Sequence, residues 1–369
     1  MKELRGLVAR ADGQLRPAVV RFSAAIASVD NEDRADGGDY ILPGLIDLQI
    51  NGRGSCNVMT ATARELIELS GELAREGTTA WLPTATTSPL AQIEKTAGAV
   101  VEAMHETTPS QSAVASVVRD ARSSSGSILG MHLEGPFISS VRLGAHPAHN
   151  LEPLGDALDR VISLPALRLI TIAPELAGAL AAIAAFSARG VAVSLGHTNA
   201  SLEQAEAAVS AGARMFTHTF NAMAPMDHRR PSVTAAAMLP SNAFAAVIAD
   251  GFHVHPAMLR LLFLARGARG ICLTTDRVAS VPAASKVPPS TVDGRLMGSA
   301  ISMLEAMKLM VEHVGATVGE AILMGSTNPA RVLGLVDRGK IERGAIADLL
   351  VLGPRLELKA VFVGGRELA

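Results

Sequence analysis

ILGMHLE (128–134), VAVSLGH (191–197), ARMFTH (213–218) and GICLTTD (270–276) share one layout: a short apolar run of the kind that fills a buried strand, stopped by a polar residue. The stops are Glu134, His197, His218 and Asp276. One carboxylate with two imidazoles is a divalent-metal ligand set, and a second carboxylate beside it can serve as a base. Side chains at the ends of successive parallel strands converge when those strands close into an α/β barrel.

Outward from these runs, further strand-like stretches occur at LIDLQI (45–50), TTAWLPT (78–84), LRLITI (167–172) and FAAVIA (244–249), which brings the total to eight. Helix-like segments separate them, among them ARELIELSGELAREG (63–77), LAGALAAIAAFSARG (176–190), SLEQAEAAVSAG (201–212) and PAMLRLLFLARG (256–267). Each ends on a glycine, the residue suited to a left-handed helix stop. Strict alternation of strand and helix implies a parallel sheet. Eight repeats predict a closed (β/α)8 TIM-like barrel over residues 44–334.

Both ends of the chain read differently. LRGLVAR (4–10) and PAVVRFSA (17–24) are β-like pieces between polar turns, and DLLVLGP (348–354) with LKAVFVGGREL (358–368) reads strand, turn, strand. Residues 1–43 and 335–369 are therefore expected to form one small β-sandwich domain from the two termini.

Composition narrows the function class. With 33 basic and 35 acidic residues the net charge is −2, which supplies no field for nucleic acid or an anionic membrane surface. The 49% hydrophobic content and 33 glycines suit a loop-rich enzyme barrel. Cys56 and Cys272 make no spaced metal or redox motif. No run of 18 apolar residues and no signal-like apolar core is found, so a cytoplasmic protein is the expectation.

LPGLIDLQING (42–52), HLEGPF (132–137), GAH (144–146), SLGHTNAS (194–201), THTFNAMAPMDHRRP (217–231), VIADGFHVHP (247–256), LTTD (273–276) and STNPARVLGL (326–335) stand in this order along the chain. In that order and near that spacing they resemble the N-acetylglucosamine-6-phosphate deacetylases of the amidohydrolase superfamily. The resemblance spans almost the whole chain, and GKIERGAIADLLVL (339–352) is similar to the superfamily's closing β segment. It implies hydrolysis of an acetamide, with Glu134, His197 and His218 as metal ligands and Asp276 as the acid and base. His146 is implied to polarise the substrate carbonyl, with His149 the alternative if the local register slips.

The resemblance also carries a metal count. Two-metal relatives start with His-x-His after the first strand and often carry a lysine bridge, whereas this chain has Gln49 and Asn51 there and no lysine after the fourth strand. Neutral amides are poor zinc ligands, so Gln49 and Asn51 are expected to hydrogen-bond around a vacant second-metal position. One divalent ion per subunit is expected, Zn²⁺ first, with Fe²⁺ or Co²⁺ compatible with the same donors.

Substrate contacts follow from the same source. Ala145 and His146 face the acetamide; Asn221, Ala222 and Arg229 take the phosphate; Asp250 and Gly251 shape the turn that presents His253; Leu296, Met297 and Gly298 border the sugar. The family draws the arginine from the neighbouring subunit, which implies a homodimer, with Arg230 the alternative to Arg229. The partner is a small amino-sugar phosphate, with no nucleic acid or membrane.

One departure bears on specificity. TTDRVASVPAASKVPPSTVDGRLMGSA (274–300) is shorter than the family's usual stretch and puts Arg277 beside Asp276. Arg277 is expected either to add an anion contact or to pair with Asp276 and lower its pKa. Two further readings stay open: a deacetylase of N-acetylgalactosamine 6-phosphate or another N-acyl amine, and a catalytically silent relative that binds sugar phosphates.

Overall fold

The computed structural model describes residues 1–33, 38–107, 125–279, 287–291 and 294–368. Eight parallel strands follow one another around a barrel: β1 (Leu45–Ile50), β2 (Thr78–Thr86), β3 (Met131–Glu134), β4 (Leu167–Ile172), β5 (Ala192–Leu195), β6 (Met215–Phe216), β7 (Phe244–Val247) and β8 (Ile271–Leu273). A parallel bridge between Ile50 and Arg277 brings the first and last strands together. Asp47 reinforces the seam: Thr274 Oγ1 donates to its Oδ1 at 2.9 Å and Thr275 Oγ1 to its Oδ2 at 2.6 Å.

A helix follows each strand: α1 (Ala63–Arg75), α2 (Leu90–Thr107), α3 (Gly155–Ile162), α4 (Ala179–Ala188), α5 (Leu202–Ser210), α6 (Val233–Met238), α7 (Pro256–Arg266) and α8 (Met303–Leu309). α1 starts where Thr62 accepts from Glu65 N while Glu65 reaches back to the Thr62 N–H, a reciprocal cap for two orphan donors. α4 stops before Gly190 and α5 before Gly212, at φ of +76° and +120°, conformations that a side chain would strain. Trp81 on the outer face of β2 is fully buried, and its indole donates to Ser70 of α1 at 2.9 Å. Among the described residues no helix is long and apolar enough to cross a membrane.

Inside the barrel the side chains form layers. Leu48, Leu82, Leu169, Ala192, Met215 and Cys272 make an apolar floor. Two residues further along four of these strands, and on β3, period-2 geometry raises a polar layer: Thr84, His132, Thr171, Ser194 and Thr217. These join in one chain, Thr84 Oγ1 to His132 Nδ1 (3.2 Å), His132 Nε2 to Thr171 Oγ1 (2.9 Å), Thr171 to Thr217 (2.8 Å) and Thr217 to Ser194 (2.5 Å). Burial pushes the His132 pKa down to about 4, so this imidazole is neutral. The layer is the base on which the strand-end residues stand.

The two ends of the chain build a single seven-stranded sheet, in the order Arg366–Glu367, Leu358–Val363, Leu349–Leu352, Tyr40–Pro43, Lys2–Ala9, Leu15–Phe22, Ile26–Asn31. Phe22 and Phe362 lie four strands apart along it, yet their rings meet edge to face at 5.3 Å. The sheet therefore curls until its halves face each other across a core that includes Val8, Val20, Ile41 and Leu349. The expected two-layer arrangement arises from one continuous sheet.

Several strands are shorter than their apolar runs suggest. The run at 214–218 is in the sheet only at Met215–Phe216, because His218 already turns left-handed at φ +28°. The run at 128–133 divides at Gly130, leaving Ser127–Ile128 paired with Ala80 and Trp81 and β3 beginning at Met131.

Candidate metal centre and active site

Glu134 ends β3 and lies at the centre of a buried cluster. Its Oε1 is 3.2 Å from His197 Nε2 and 2.9 Å from His218 Nε2, and those two nitrogens are 3.1 Å apart. Three donors on one tetrahedral ion, with bonds of about 2.0–2.1 Å, stand about 3.3 Å from one another. The observed triangle fits that requirement. His197 Nδ1 faces the carbonyl of Arg142 at 3.0 Å, which leaves Nε2 for the cluster. His218 Nδ1 is buried with no hydrogen-bond partner.

His146 adds a third imidazole. Its Nε2 is 3.2 Å from Glu134 Oε2, and Glu134, His146 and His197 present donor atoms within 4.8 Å of one another, a Glu/His group able to hold a metal. His149 is exposed and away from the cluster. Burial alone would raise the Glu134 carboxyl, but hydrogen bonds from His146, His197 and His218 hold it well below the usual carboxylate range. Burial pushes His197 down to about 4, which favours the neutral, ligating form.

Asp276 follows β8 and approaches from the opposite side. Its Oδ1 accepts from Gln49 Nε2 at 3.0 Å and from Asn51 Nδ2 at 2.6 Å. Gln49 Nε2 also donates to Glu134 Oε1 at 2.8 Å, so one amide group separates the two carboxylates. Burial, and then the charge of Glu134, push the Asp276 pKa up to about 6. His197, His218 and Asp276 all leave their strands with positive φ, at 49°, 28° and 49°. Such backbone is costly for residues with side chains and gathers at functional sites.

Arg277 corrects the expectation placed on it. It neither pairs with Asp276 nor lines the cavity: its Nη1 meets Glu76 Oε2 at 2.6 Å, and Arg53 Nη2 meets the same carboxylate at 2.7 Å. With Arg277 occupied there, its guanidinium does not offset the burial that raises Asp276, which the charges of His218 and His253 and the Asn51 hydrogen bond oppose.

The cluster floors a cavity of about 810 Å³. Ala145, Asn221, Ala222, His253 and Leu296 to Gly298 line it. Asn221 is held against the His218 carbonyl by its backbone N–H (2.9 Å) and its side-chain amide (3.2 Å). Asp250 lies beside the cavity and fixes His253: Oδ1 accepts the N–H groups of Phe252 and His253, and Oδ2 faces His253 Nδ1 at 2.7 Å. Gly251 makes that turn at φ +78°. His255 caps α7. Arg229 and Arg230 are exposed and stand outside the cavity of their own chain, both donating backbone N–H to Asp227. Part of the 274–300 segment, residues 280–286 and 292–293, lies outside the described residues.

The sequence reading missed Asp47, the His132 layer and two arginines on the cavity wall, Arg142 and Arg295. The polar layer carries a signal, since Thr84, Thr171, Ser194 and Thr217 each stand two residues after an apolar residue of the barrel floor. Arg295 carries none, because its place depends on a contact 151 residues away.

Comparison with known proteins settles the family. The amidohydrolase family profile matches residues 40–368. The chain belongs to the amidohydrolase family. It is 32% identical over 364 residues to the N-acetylglucosamine-6-phosphate deacetylase of Vibrio furnissii, covering 93% of this chain and 87% of the relative. It is also 32% identical over 376 residues to the N-acetylgalactosamine-6-phosphate deacetylase of Escherichia coli O157:H7, covering 96% and 94%. Among solved structures, a mutant N-acetyl-D-glucosamine-6-phosphate deacetylase from Mycobacterium smegmatis in complex with N-acetyl-D-glucosamine-6-phosphate superposes with a TM-score of 0.88 at 28% identity, covering 100% of this chain and 99% of that one. This amidohydrolase thus groups with the N-acetylglucosamine-6-phosphate deacetylases.

Proposed function

We propose that this chain is a metal-dependent deacetylase that converts N-acetylglucosamine 6-phosphate to glucosamine 6-phosphate and acetate, in amino-sugar catabolism or cell-wall recycling. The observation that carries the reading is the Glu134, His197 and His218 donor triangle, with Asp276 held beside it through Gln49. Glu134, His197 and His218 would hold one divalent ion, Zn²⁺ by preference. The Gln49 amide supports a single metal, because its N–H bonds go to Glu134 and Asp276, the carboxylates a second cation would need. When bound, the metal supplies Lewis acidity and brings the pKa of a water to roughly 7.

Asp276 takes the proton of the attacking water and passes it to the departing amine, which leaves as a neutral group. Its raised pKa suits both steps near neutral pH. His146 reaches the acetamide oxygen and stabilises the charge that develops on it. Asn221 and Ala222 hold the phosphate, and His253, oriented by Asp250, meets the sugar. The exposure of Arg229 supports a homodimer in which the partner subunit's Arg229 completes the phosphate site. A sugar phosphate is too polar to cross a bilayer, so this reading puts the enzyme in the cytoplasm.

A second reading changes only the epimer. The match to an N-acetylgalactosamine-6-phosphate deacetylase and the short segment after Asp276 both favour keeping it. The test is acetate release by metal-reconstituted protein from both sugar phosphates and from the unphosphorylated sugar, with a chelated blank. Metal-dependent turnover of the glucosamine derivative above its epimer supports the first reading. Reversed preference supports the second. No turnover with metal bound removes both.

A further inference from the structure

We propose that Glu175 is a positioning residue for the metal centre, holding His197 in place through the two residues that follow it, Thr198 and Asn199. The proposal rests on the reading that His197 is a metal ligand.

His197 leaves β5 at φ +49°, a conformation that a residue with a side chain keeps only where its surroundings over-determine it. Neighbouring strand ends supply those surroundings. Glu175, past the end of β4, receives both residues after His197: the Thr198 hydroxyl donates to Oε2, and the Asn199 N–H donates to Oε1 at 2.5 Å. Thr198 is fully buried and its remaining polar groups are engaged as well. Its N–H donates to the Ala222 carbonyl at 3.1 Å, its carbonyl accepts from Ala224 N at 3.0 Å, and its hydroxyl oxygen accepts from Ala200 N at 3.0 Å. The turn that aims His197 is therefore fastened to the β4 exit on one side and to the loop after β6 on the other.

The segment after β3 closes the turn from above. Ser139 N donates to the His197 carbonyl at 2.9 Å, and the Arg142 carbonyl faces His197 Nδ1 at 3.0 Å. Arg142 also directs Nε and Nη2 to Asn199 Oδ1, at 3.0 and 2.9 Å. Asn199 thus links the two holds, with its N–H on the Glu175 carboxylate and its side-chain oxygen on the guanidinium. A change at Glu175 reaches His197 by two routes: its own backbone, and the carbonyl that fixes Nδ1 and leaves Nε2 for the ion. Glu175 does not line the cavity, so it acts on the centre through these residues alone. Small displacements count, because metal–ligand distances hold to within about 0.2 Å.

The competing role is a strap that joins the β4 and β5 exits and stabilises the fold with no bearing on the metal. The two roles separate in Zn²⁺ affinity, measured by chelator competition on wild type, E175A, E175Q and T198V, joined to absorption spectra of the Co²⁺-loaded proteins and to kinetics at saturating Zn²⁺. Loss of a group behind a metal ligand weakens metal binding about 10- to 100-fold, and Glu175 acts at one remove, so about 10-fold is expected for E175A. T198V, which keeps the volume of the side chain, should lose affinity in the same direction. E175Q should recover most of it, since its amide can accept from the Asn199 N–H and donate to the Thr198 hydroxyl. The Co²⁺ spectrum of E175A should differ from wild type, while kcat at saturating Zn²⁺ returns to within a few-fold and KM holds. Wild-type Zn²⁺ affinity and an unaltered Co²⁺ spectrum in folded E175A and T198V overturn the proposal, whatever their stability; if E175A fails to fold, T198V decides. Wild-type protein that binds Zn²⁺ but releases no acetate sinks the deacetylase reading and leaves this one standing. Wild-type protein that binds no Zn²⁺ sinks both.

Discussion

The side-chain nitrogen of Gln49 lies 3.0 Å from Asp276 Oδ1 while also donating to Glu134 Oε1 at 2.8 Å. It stands between the two carboxylates and satisfies both, and on the proposed reading this leaves them to a single ion. The wild-type protein is expected to bind one divalent ion. Replacing the amide by an imidazole in Gln49→His should raise the stoichiometry toward two, read by elemental analysis after metal loading. A value that stays at one would show that Gln49 does not control the count.

Asp276→Asn keeps the volume of the side chain but cannot take a proton. Turnover is expected to fall at least ~100-fold, with metal content and sugar-phosphate affinity close to wild type. Turnover within a few-fold of wild type would remove Asp276 from the proton-transfer role.

Gly298 shows how closely the cavity wall is fitted to the strand end that carries Asp276. It has φ +85°, and a Cβ there would come within 2.5 Å of the Asp276 carbonyl oxygen and of Val278 Cγ1. Backbone oxygen cannot swing aside as a side chain can. Gly298→Ala is expected to lower kcat roughly 100-fold, the usual consequence of a misplaced catalytic group, with an unchanged far-ultraviolet circular dichroism spectrum. Wild-type kcat in this variant would mean that the turn and Asp276 move independently.

Stability should depend on pH through Asp47. Burial pushes its pKa up to about 6 despite donors from Thr275, Gln49 and Thr274. The folded chain then holds this proton more tightly than the unfolded chain, whose carboxyl titrates near 3.8. The contribution is fully present below that value and is lost as pH rises through about 6, a change of about 3 kcal/mol. Subtracting the pH profile of Asp47→Asn from that of wild type, both by urea unfolding, should reveal this slope. A flat difference between pH 4 and pH 7 would contradict it.

Metal removal should lower Tm, because the donor triangle forms only in the folded chain and binding to it stabilises that state by mass action. Differential scanning calorimetry with and without chelator measures the shift. Glu134→Ala, which deletes the carboxylate shared by His197 and His218, should show little further loss on chelation.

Much of this architecture was legible because it is local. LIDLQI and LRLITI coincide with β1 and β4, and the glycines at 77, 190, 212 and 267 all carry positive φ where helices end. Glu134, His197, His218 and Asp276 could be picked out because each stops an apolar run, and the structure brings the four together. What escaped depends on long side chains and distant register. Adjacency to Asp276 suggested a pairing for Arg277, but the Ile50 bridge fixes its backbone and its side chain leaves toward Glu76, 201 residues earlier. The position of Arg295 likewise follows from the fold of a hairpin and a carbonyl on another loop. Neither contact leaves a periodic trace.

The continuous terminal sheet sets an order for biosynthesis. Tyr40–Pro43 is made early, but its antiparallel neighbour Leu349–Leu352 is made only after the whole barrel has been synthesised. Until then one edge of the N-terminal strands stays open to mispairing with other nascent chains. A chain cut short before residue 349 would carry every proposed catalytic group and still leave Tyr40–Pro43 with an open edge.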